Sequence, residues 1–322
     1  MIRSTGKSRF LAKGDFDGLV SAMLLKELDM IAEMVFVHPR DIETGKVVIS
    51  GNDITAGLPF KEAARMAFDH YPGSAALCGR HGNLVVDCGQ ASTSRVICNH
   101  FGVDSFPCLA ADMLDMADKG ASALLSKNEI LYPAGWLLLS YLVDQRTGIE
   151  RFGQFSTNHN TMLLELVDQG GTKTVWEMLD ISAVGERLEV YFSCIEEYRA
   201  QILRCSSVHW NLVVTDIRAE EMIYPGNRFM TYALFPECNV SMQIFSEGLN
   251  GLTTFVVGKS ILDRSFSSDI GMIMRKYGGG GHSSAGTCRV PGNKAEEVKK
   301  NLVKCLSYGL LSNIFRGYFN YY

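Results

Sequence analysis

Gly14-Asp15-Phe16-Asp17-Gly18 is the stretch on which the fold turns. It follows a short apolar run, Phe10-Leu11-Ala12, and precedes Leu19, Ala22, Met23, Leu25 and Leu28 at helical spacing. The pattern predicts a strand, a tight acidic turn and a helix. Asp15 and Asp17 then stand together where the strand ends. Oxygen ligands this close suit a divalent cation, because two neighbouring carboxylates repel unless a cation lies between them. The competing reading is that Asp17 merely caps the helix.

The 322 residues suffice for two domains with their own cores, and 47% apolar with 20% charged residues is an ordinary globular balance. A net charge of −4 gives no basic field for long duplex nucleic acid. Charge is uneven, however. Between Lys259 and Lys304 nine Lys/Arg face four Asp/Glu, a net of +5 that leaves −9 elsewhere. A basic patch on an acidic protein fits a small anionic ligand. The nine cysteines form no C-x-x-C pair, the first six residues carry no apolar signal core, and no apolar stretch is long enough to span a bilayer. These features lead to the expectation of a cytoplasmic protein with reduced thiols and no membrane partner.

Working outward, Met34–Val37, Val47–Ile49, Ala64–Phe68 and Leu84–Val86 read as further strands separated by helical patterns. Such short apolar runs predict a mainly parallel α/β sheet buried on both faces. Polar residues recur where these strands end: Asp15, Asp17, His38, Asp53, Asp69, His70 and Asp87. Ligands of open α/β sheets bind outside the carboxyl ends of the strands. His38, before Pro39, reads as a turn residue or a ligand contact, and Asp87 as a support for the site or the next helix. His81, His100, His159 and His209 have no convergent partners and read as structural, and Trp136 as core.

Helical patterns follow over 92–125, 136–143 and 161–167, with Ser92 or Ser94 as an N-cap. Val184–Leu203, with Leu188, Tyr191, Ile195, Tyr198 and Ile202 in register, reads as a helix linking a first domain (1–205) to a smaller α+β domain (210–322). Expected strands there are Leu212–Val214, Phe229–Leu234, Val240–Phe245 and Thr253–Gly258, with helices over 269–276 and 292–307. The tail, 314–322, is aromatic.

Gly278-Gly279-Gly280-Gly281-His282-Ser283-Ser284-Ala285-Gly286 is the second decisive stretch. Glycines expose backbone N–H groups and let a ligand approach closely, and His282 and the serines add donors, which reads as a phosphate cradle. A plain glycine hinge is the alternative.

Taken in order, Asp15-Phe16-Asp17, Asp53, Asp69-His70-Tyr71, Asp118 and the Gly-Gly-Gly-His-Ser-Ser-Ala-Gly run resemble the successive motifs of the DHH phosphoesterase superfamily. The wider context, including Phe36-Val37-His38-Pro39 and Asn52-Asp53-Ile54, is most similar to its exopolyphosphatase-related, nano-RNase-like branch. The resemblance spans nearly the whole chain. It implies a DHH domain followed by a DHH-associated domain, and two Mn²⁺ or Mg²⁺ ions. Asp15, Asp17, Asp53, His70 and Asp118 would be the metal ligands, and Asp69, His70 and Tyr71 the catalytic triplet. Lys259, Ser260, Arg264, Gly279, Gly280, Gly281, His282 and Ser283 would hold the substrate. A bridging water would attack phosphorus in line while the metals stabilise charge.

Three departures from the family pattern stand out. Tyr71 replaces the second histidine of the triplet, Leu11 stands where many members have an upstream histidine, and Ala121 where relatives often have an acid. A neutral phenol is neither an imidazole base nor a cation. The expected function is therefore a metal-dependent phosphoesterase acting on a small phosphate ester or short nucleotide: an oligonucleotide, adenosine bisphosphate or a cyclic dinucleotide, ahead of polyphosphate. The alternative is a nucleotide-binding protein in which Tyr71 marks a degraded site. Homodimerisation is left open.

Overall fold

Five short strands build the first sheet: β1 (Ser8–Ala12), β2 (Ile31–Phe36), β3 (Asp53–Ala56), β4 (Met66–Asp69) and β5 (Leu84–Val86). All pair in parallel, in the order β2-β1-β3-β4-β5. The chain moves one way from β1 to β2 and the other way through β3. The switch point therefore lies at the carboxyl ends of β1 and β3, where open α/β sheets bind ligands. The structure is a computed structural model and describes residues 6–77, 79–248 and 251–307, so the aromatic tail lies outside the described residues.

The strands are joined and covered by α1 (Phe16–Glu27), α2 (Pro39–Glu43), α3 (Pro72–Ala75), α4 (Thr93–Phe101) and α5 (Ala111–Ser122). Then come α6 (Lys127–Leu131), α7 (Gly135–Val143), α8 (His159–Gln169), α9 (Val175–Leu179) and the long α10 (Ser182–Cys205). α1 packs against α4, α5 and α8, and α4 also against β4 and β5. Leu11, Leu19, Leu24, Leu25, Ile54 and Ile97 are fully buried among them. The near-continuous apolar character of α1 follows from this, since it is covered on several sides.

The second sheet has six strands in the order β10-β11-β9-β8-β7-β6. They are β6 (Ser206–His209), β7 (Leu212–Asp216), β8 (Val240–Glu247), β9 (Leu252–Lys259), β10 (Gly280–His282) and β11 (Ala285–Pro291). Only β7 and β8 pair in parallel. Helices α11 (Met230–Leu234), α12 (Ile270–Arg275) and α13 (Ala295–Ser307) complete it. Its core joins Leu212, Val240, Met242, Phe255 and Val257 to Ile270, Met274, Leu302 and Leu306.

The chain divides into two compact units. The first holds the chain up to Leu124 and Pro133–Phe192, the second Leu125–Tyr132 and the chain from Ser193, so the division falls inside α10. The fold is α/β, with a mixed second sheet in the C-terminal region. Among the described residues no helix is long and apolar enough to cross a membrane.

Two expected strands are absent. Val47–Ile49 is a loop: Val47 N–H bonds to Asp41 O, and Val48 O accepts from the Arg9 guanidinium instead of a neighbouring strand. Its apolar residues earn their place by packing, with Ile49 beside Leu11, Ile42 and Leu58. Phe229–Leu234 is helical from Met230. The Asn227 side chain accepts from Phe229 N, and Met230 to Ala233 are all buried, which removes the alternation that separates strand from helix.

Candidate active site

The acidic turn closes β1. Asp15 is the N-cap of α1, its Oδ1 accepting from Gly18 N at 3.1 Å. Gly18 is required by close approach, since a Cβ there would lie 2.0 Å from the Lys13 carbonyl oxygen. Asp17 points instead at the start of α4, accepting from Thr93 N at 3.0 Å and Ser94 N at 2.8 Å. Burial, then the charge of Asp15, pushes the Asp17 carboxyl above the usual range, against the pull of those amides. The cap expected of Asp17 is supplied by Asp15 instead, and Asp17 crosses to the start of another helix.

Asp69-His70-Tyr71 leaves β4 beside it. Asp69 is buried and holds the bend: Oδ1 accepts from His70 N (2.8 Å) and Tyr71 N (3.2 Å), and Oδ2 from the Ser74 hydroxyl. His70 Nδ1 lies 2.8 Å from the hydroxyl of Thr93, whose amide bonds Asp17. Thr93 therefore ties the imidazole to the acidic turn and leaves Nε2 outward. Tyr71 stacks on His70, ring centroids 4.2 Å apart, and keeps 45% of its surface exposed.

Lys13 was not legible as a site residue, yet it joins the two motifs. Its ammonium lies 3.2 Å from Asp15 Oδ2 and donates to the Tyr71 hydroxyl at 3.3 Å. Burial opposes the charge, but Asp15 and then Tyr71 outweigh it and hold the lysine more basic than usual. The cation that Tyr71 cannot supply comes from Lys13.

Asp53 and Asp118 do not join this group as carboxylates free to bind a ligand. Asp53 is the first residue of β3, paired in register with Arg9, whereas Ala56 pairs with Ala12. It stands at the amino edge of the sheet, ~10 Å of strand from the acidic turn. There it is buried, takes two 2.8 Å bonds from the Arg9 guanidinium and accepts from Ser50 N and Oγ at 2.6 and 3.0 Å. Burial opposes its charge, but those bonds hold its carboxyl below the usual range. The residue that follows β3 at its carboxyl end is Gly57. Asp118, on α5, accepts from Ser92 Oγ at 2.5 Å and Arg95 Nε at 2.8 Å, and so is neutralised by a neighbour. His38 caps α2, its Nδ1 accepting from Arg40 N, as a turn residue would, and Asp87 accepts from Gly89 N and the Gln90 side chain in the turn after β5.

Asp15, Asp17 and His70 are the oxygen and nitrogen donors that remain of the expected ligand set. Their chemistry suits Mn²⁺ or Mg²⁺, and the unrelieved repulsion at Asp17 is what a cation would offset. Among the described residues no three His, Cys, Asp or Glu side chains are grouped tightly enough to hold a metal ion as they stand.

In the second unit, the glycine run is an ordered hairpin, not a loop. Gly280, Gly281 and His282 form the edge strand β10 against Thr287, Gly286 and Ala285, with Ser283 and Ser284 as the two-residue turn. His282 is exposed; its Nδ1 accepts from Ser284 N, leaving Nε2 outward. Lys259 ends β9, its N–H bonded to Ser284 O and its ammonium 5.9 Å over Phe266. Ser260 is buried and caps the next turn, accepting from Leu262 N and Asp263 N. Arg264 is exposed and donates to Ile261 O.

No protein-family model and no curated protein matches the chain. Solved structures do. A pGpG-specific phosphodiesterase, PggH, from Vibrio cholerae is 38% identical, covers 94% of this chain and 100% of its own, and superposes with a TM-score of 0.84. An exopolyphosphatase-related protein from Bacteroides fragilis (13% identity, 95% and 93% covered, TM-score 0.52) and CDC45 from Entamoeba histolytica (8%, 94% and 95%, 0.51) share the fold. The chain belongs to the DHH phosphoesterase superfamily.

Proposed function

We propose that the protein is a phosphodiesterase that hydrolyses a short linear dinucleotide such as pGpG. The full-length 38% identity to a phosphodiesterase of that specificity carries the reading. For pGpG, water attacks the bridging phosphorus, the bond to the 3′ oxygen breaks, that oxygen takes a proton, and two molecules of GMP result. Tyr71 and Lys13 are suited to the phosphoryl oxygens: a hydroxyl donor and an ammonium fixed beside it, preorganised for developing negative charge. His70, oriented by Thr93 through Nδ1, presents Nε2 for proton transfer. We assign Asp15, Asp17 and His70 as the donors to a divalent cation, a set for one ion, with Asp53 and Asp118 serving the fold. Such an ion supplies charge stabilisation at phosphorus and a more acidic water.

The test is a hydrolysis screen with Mn²⁺, and with chelator, over pGpG, adenosine bisphosphate, cyclic dinucleotides and polyphosphate. Chelator-sensitive release of GMP from pGpG is expected. Turnover of polyphosphate with pGpG untouched would refute the substrate. The neutralised Asp118 favours one further reading, nucleotide binding without chemistry, and pGpG binding with no turnover under any cation is its signature.

A further inference from the structure

The first unit carries a cavity of about 680 Å³ that the reading above does not use, within the size range of small-ligand sites. Gln145, Arg146, Arg151, Asn158, His159 and Asn160 line it. It adjoins the acidic turn, because His159 Nε2 lies 3.5 Å from Gly14 O. The charges around it do not cancel. Arg146 is chelated by Asp144, with Nε and Nη2 each at 2.7 Å. Glu150 is consumed by the fully buried Arg187, Nε to Oε1 at 2.5 Å and Nη2 to Oε2 at 3.2 Å. Arg151 has no acidic partner among the described residues. Its guanidinium lies over Gly148, where a Cβ would meet Nη2 at 2.5 Å, so the glycine makes room for it.

Of the remaining lining groups the side-chain amides are donors, whereas His159, whose Nε2 faces the Gly14 carbonyl, presents Nδ1 as an acceptor. Asn158 caps α8 by accepting at Thr161 N with Oδ1, which leaves its amide N–H groups. His159 and Asn160 open an 11-residue helix, whose first N–H groups favour an anion. His159 is 7% exposed, and its Nδ1 has no hydrogen-bond partner; Glu150 Oε1 lies 3.6 Å away. The Arg151 guanidinium, the side-chain amides and the N-terminus of α8 fit a phosphoryl group, while Arg146 is held by Asp144 and Glu150, which also lines the cavity, by Arg187.

We propose that this cavity is a phosphate subsite that takes the terminal 5′-phosphate of the dinucleotide, the end away from the bond that is cleaved. The assignment of that phosphate rests on the dinucleotide reading above. His159, whose Nε2 lies 3.5 Å from Gly14 O, joins the subsite to the acidic turn.

The experiment compares pGpG with GpG, which lacks only that phosphate, on the full chain, as wild type, Arg151→Gln and Asn160→Asp. Both kinetics and calorimetric titration are read. Arg151 is exposed, so its loss does not threaten folding. Wild type should prefer pGpG, and each variant should raise KM and Kd for pGpG by about tenfold or more, as expected for a lost charge-assisted contact, with kcat and every GpG parameter changed by less than about twofold. Variants that treat pGpG as wild type does would overturn the subsite and leave the hydrolytic reading intact. Binding that discriminates pGpG from GpG through Arg151, without turnover, would sink the hydrolytic reading and keep the subsite. No binding of either compound would overturn both.

Discussion

Asp53→Asn separates a structural carboxylate from a catalytic one. Asp53 is 1% exposed and accepts four hydrogen bonds, two from Arg9 and two from Ser50. The substitution keeps shape but removes the charge, and places an amide N–H₂ against donors. Breaking a buried ion pair costs about 3–5 kcal/mol. The Arg9 side chain is 31% exposed, so water recovers part of that, and about 2–3 kcal/mol is expected. For a domain of this size each kcal/mol moves Tm by ~2–4 °C, so melting followed by circular dichroism should fall by about 4–12 °C. Turnover of pGpG at 15–20 °C below that midpoint, an order-of-magnitude margin for a folded sample, should stay within about threefold of wild type. Asp15→Asn is the opposite case: Tm close to wild type, rate down at least ~100-fold. An Asp53→Asn protein that melts like wild type and has lost its activity would refute the placement of Asp53 outside the site.

Three further outcomes follow from the structure. Tyr71→Phe keeps the stack on His70 but removes the hydroxyl 3.3 Å from Lys13, so kcat should drop by about tenfold at unchanged Tm; Tyr71→His should also be slower than wild type, and a faster histidine variant would mean a degraded site. His282→Ala should raise KM for the dinucleotide more than it lowers kcat, since the exposed Nε2 sits on an edge strand and carries no structural bond; an unchanged KM would remove it from the substrate surface. Asp216, clamped by Arg218 and Lys299, has its carboxyl lowered to about 2: burial opposes the charge, but the hydrogen bonds from those two cations prevail. A depressed value stabilises above the unfolded carboxylate pKa of ~3.9 and is lost as pH falls toward about 2. The urea midpoint of wild type should therefore drop between those pH values, and Asp216→Asn should flatten that part of the curve.

How much of this was legible in the sequence depends on where each polar residue stands relative to its apolar run. Asp15 and Asp69 come at or after the end of theirs, so the turn and the triplet, like β5 at Leu84–Val86, are placed correctly. Asp53 precedes Ile54-Thr55-Ala56. Reading Val47–Ile49 as the strand put Asp53 after an apolar run instead of before one, which reversed its end of the sheet. The order of residues 53–57 held the signal: the position after the run is Gly57. Asp118 is a different case. It lies on a helix at the expected place, and only the fold shows that Arg95, 23 residues earlier, reaches its carboxylate. Lys13 and Thr93 carried no motif at all. Their roles come from two elements meeting, β1 with the bend after β4 and α1 with the start of α4, and no local pattern encodes such a meeting. The glycine run was legible as a special backbone but not as a strand, because glycine has low strand propensity and only pairing with β11 makes it one.

The charge pattern at the switch point explains why losing two acids need not disable the centre. Carboxylates from β3 and α5 would add negative charge where a phosphodiester must dock, and each would need a cation to offset it. Here β3 is followed by Gly57, Asp118 is matched by Arg95, and Asp15 is matched by Lys13, whose ammonium also fixes Tyr71. Asp17 is held by the Thr93 and Ser94 amides and the Ser94 hydroxyl, with no cation paired to it among the described residues. The acidic turn thus carries less unmatched negative charge than its motif suggests. On the proposed reading Asp15, Asp17 and His70 would hold the cation, and Lys13 and Tyr71 would face the phosphate. In that division Tyr71 is not a damaged histidine. It is the residue whose hydroxyl lets a lysine on β1's turn act across the gap to β4.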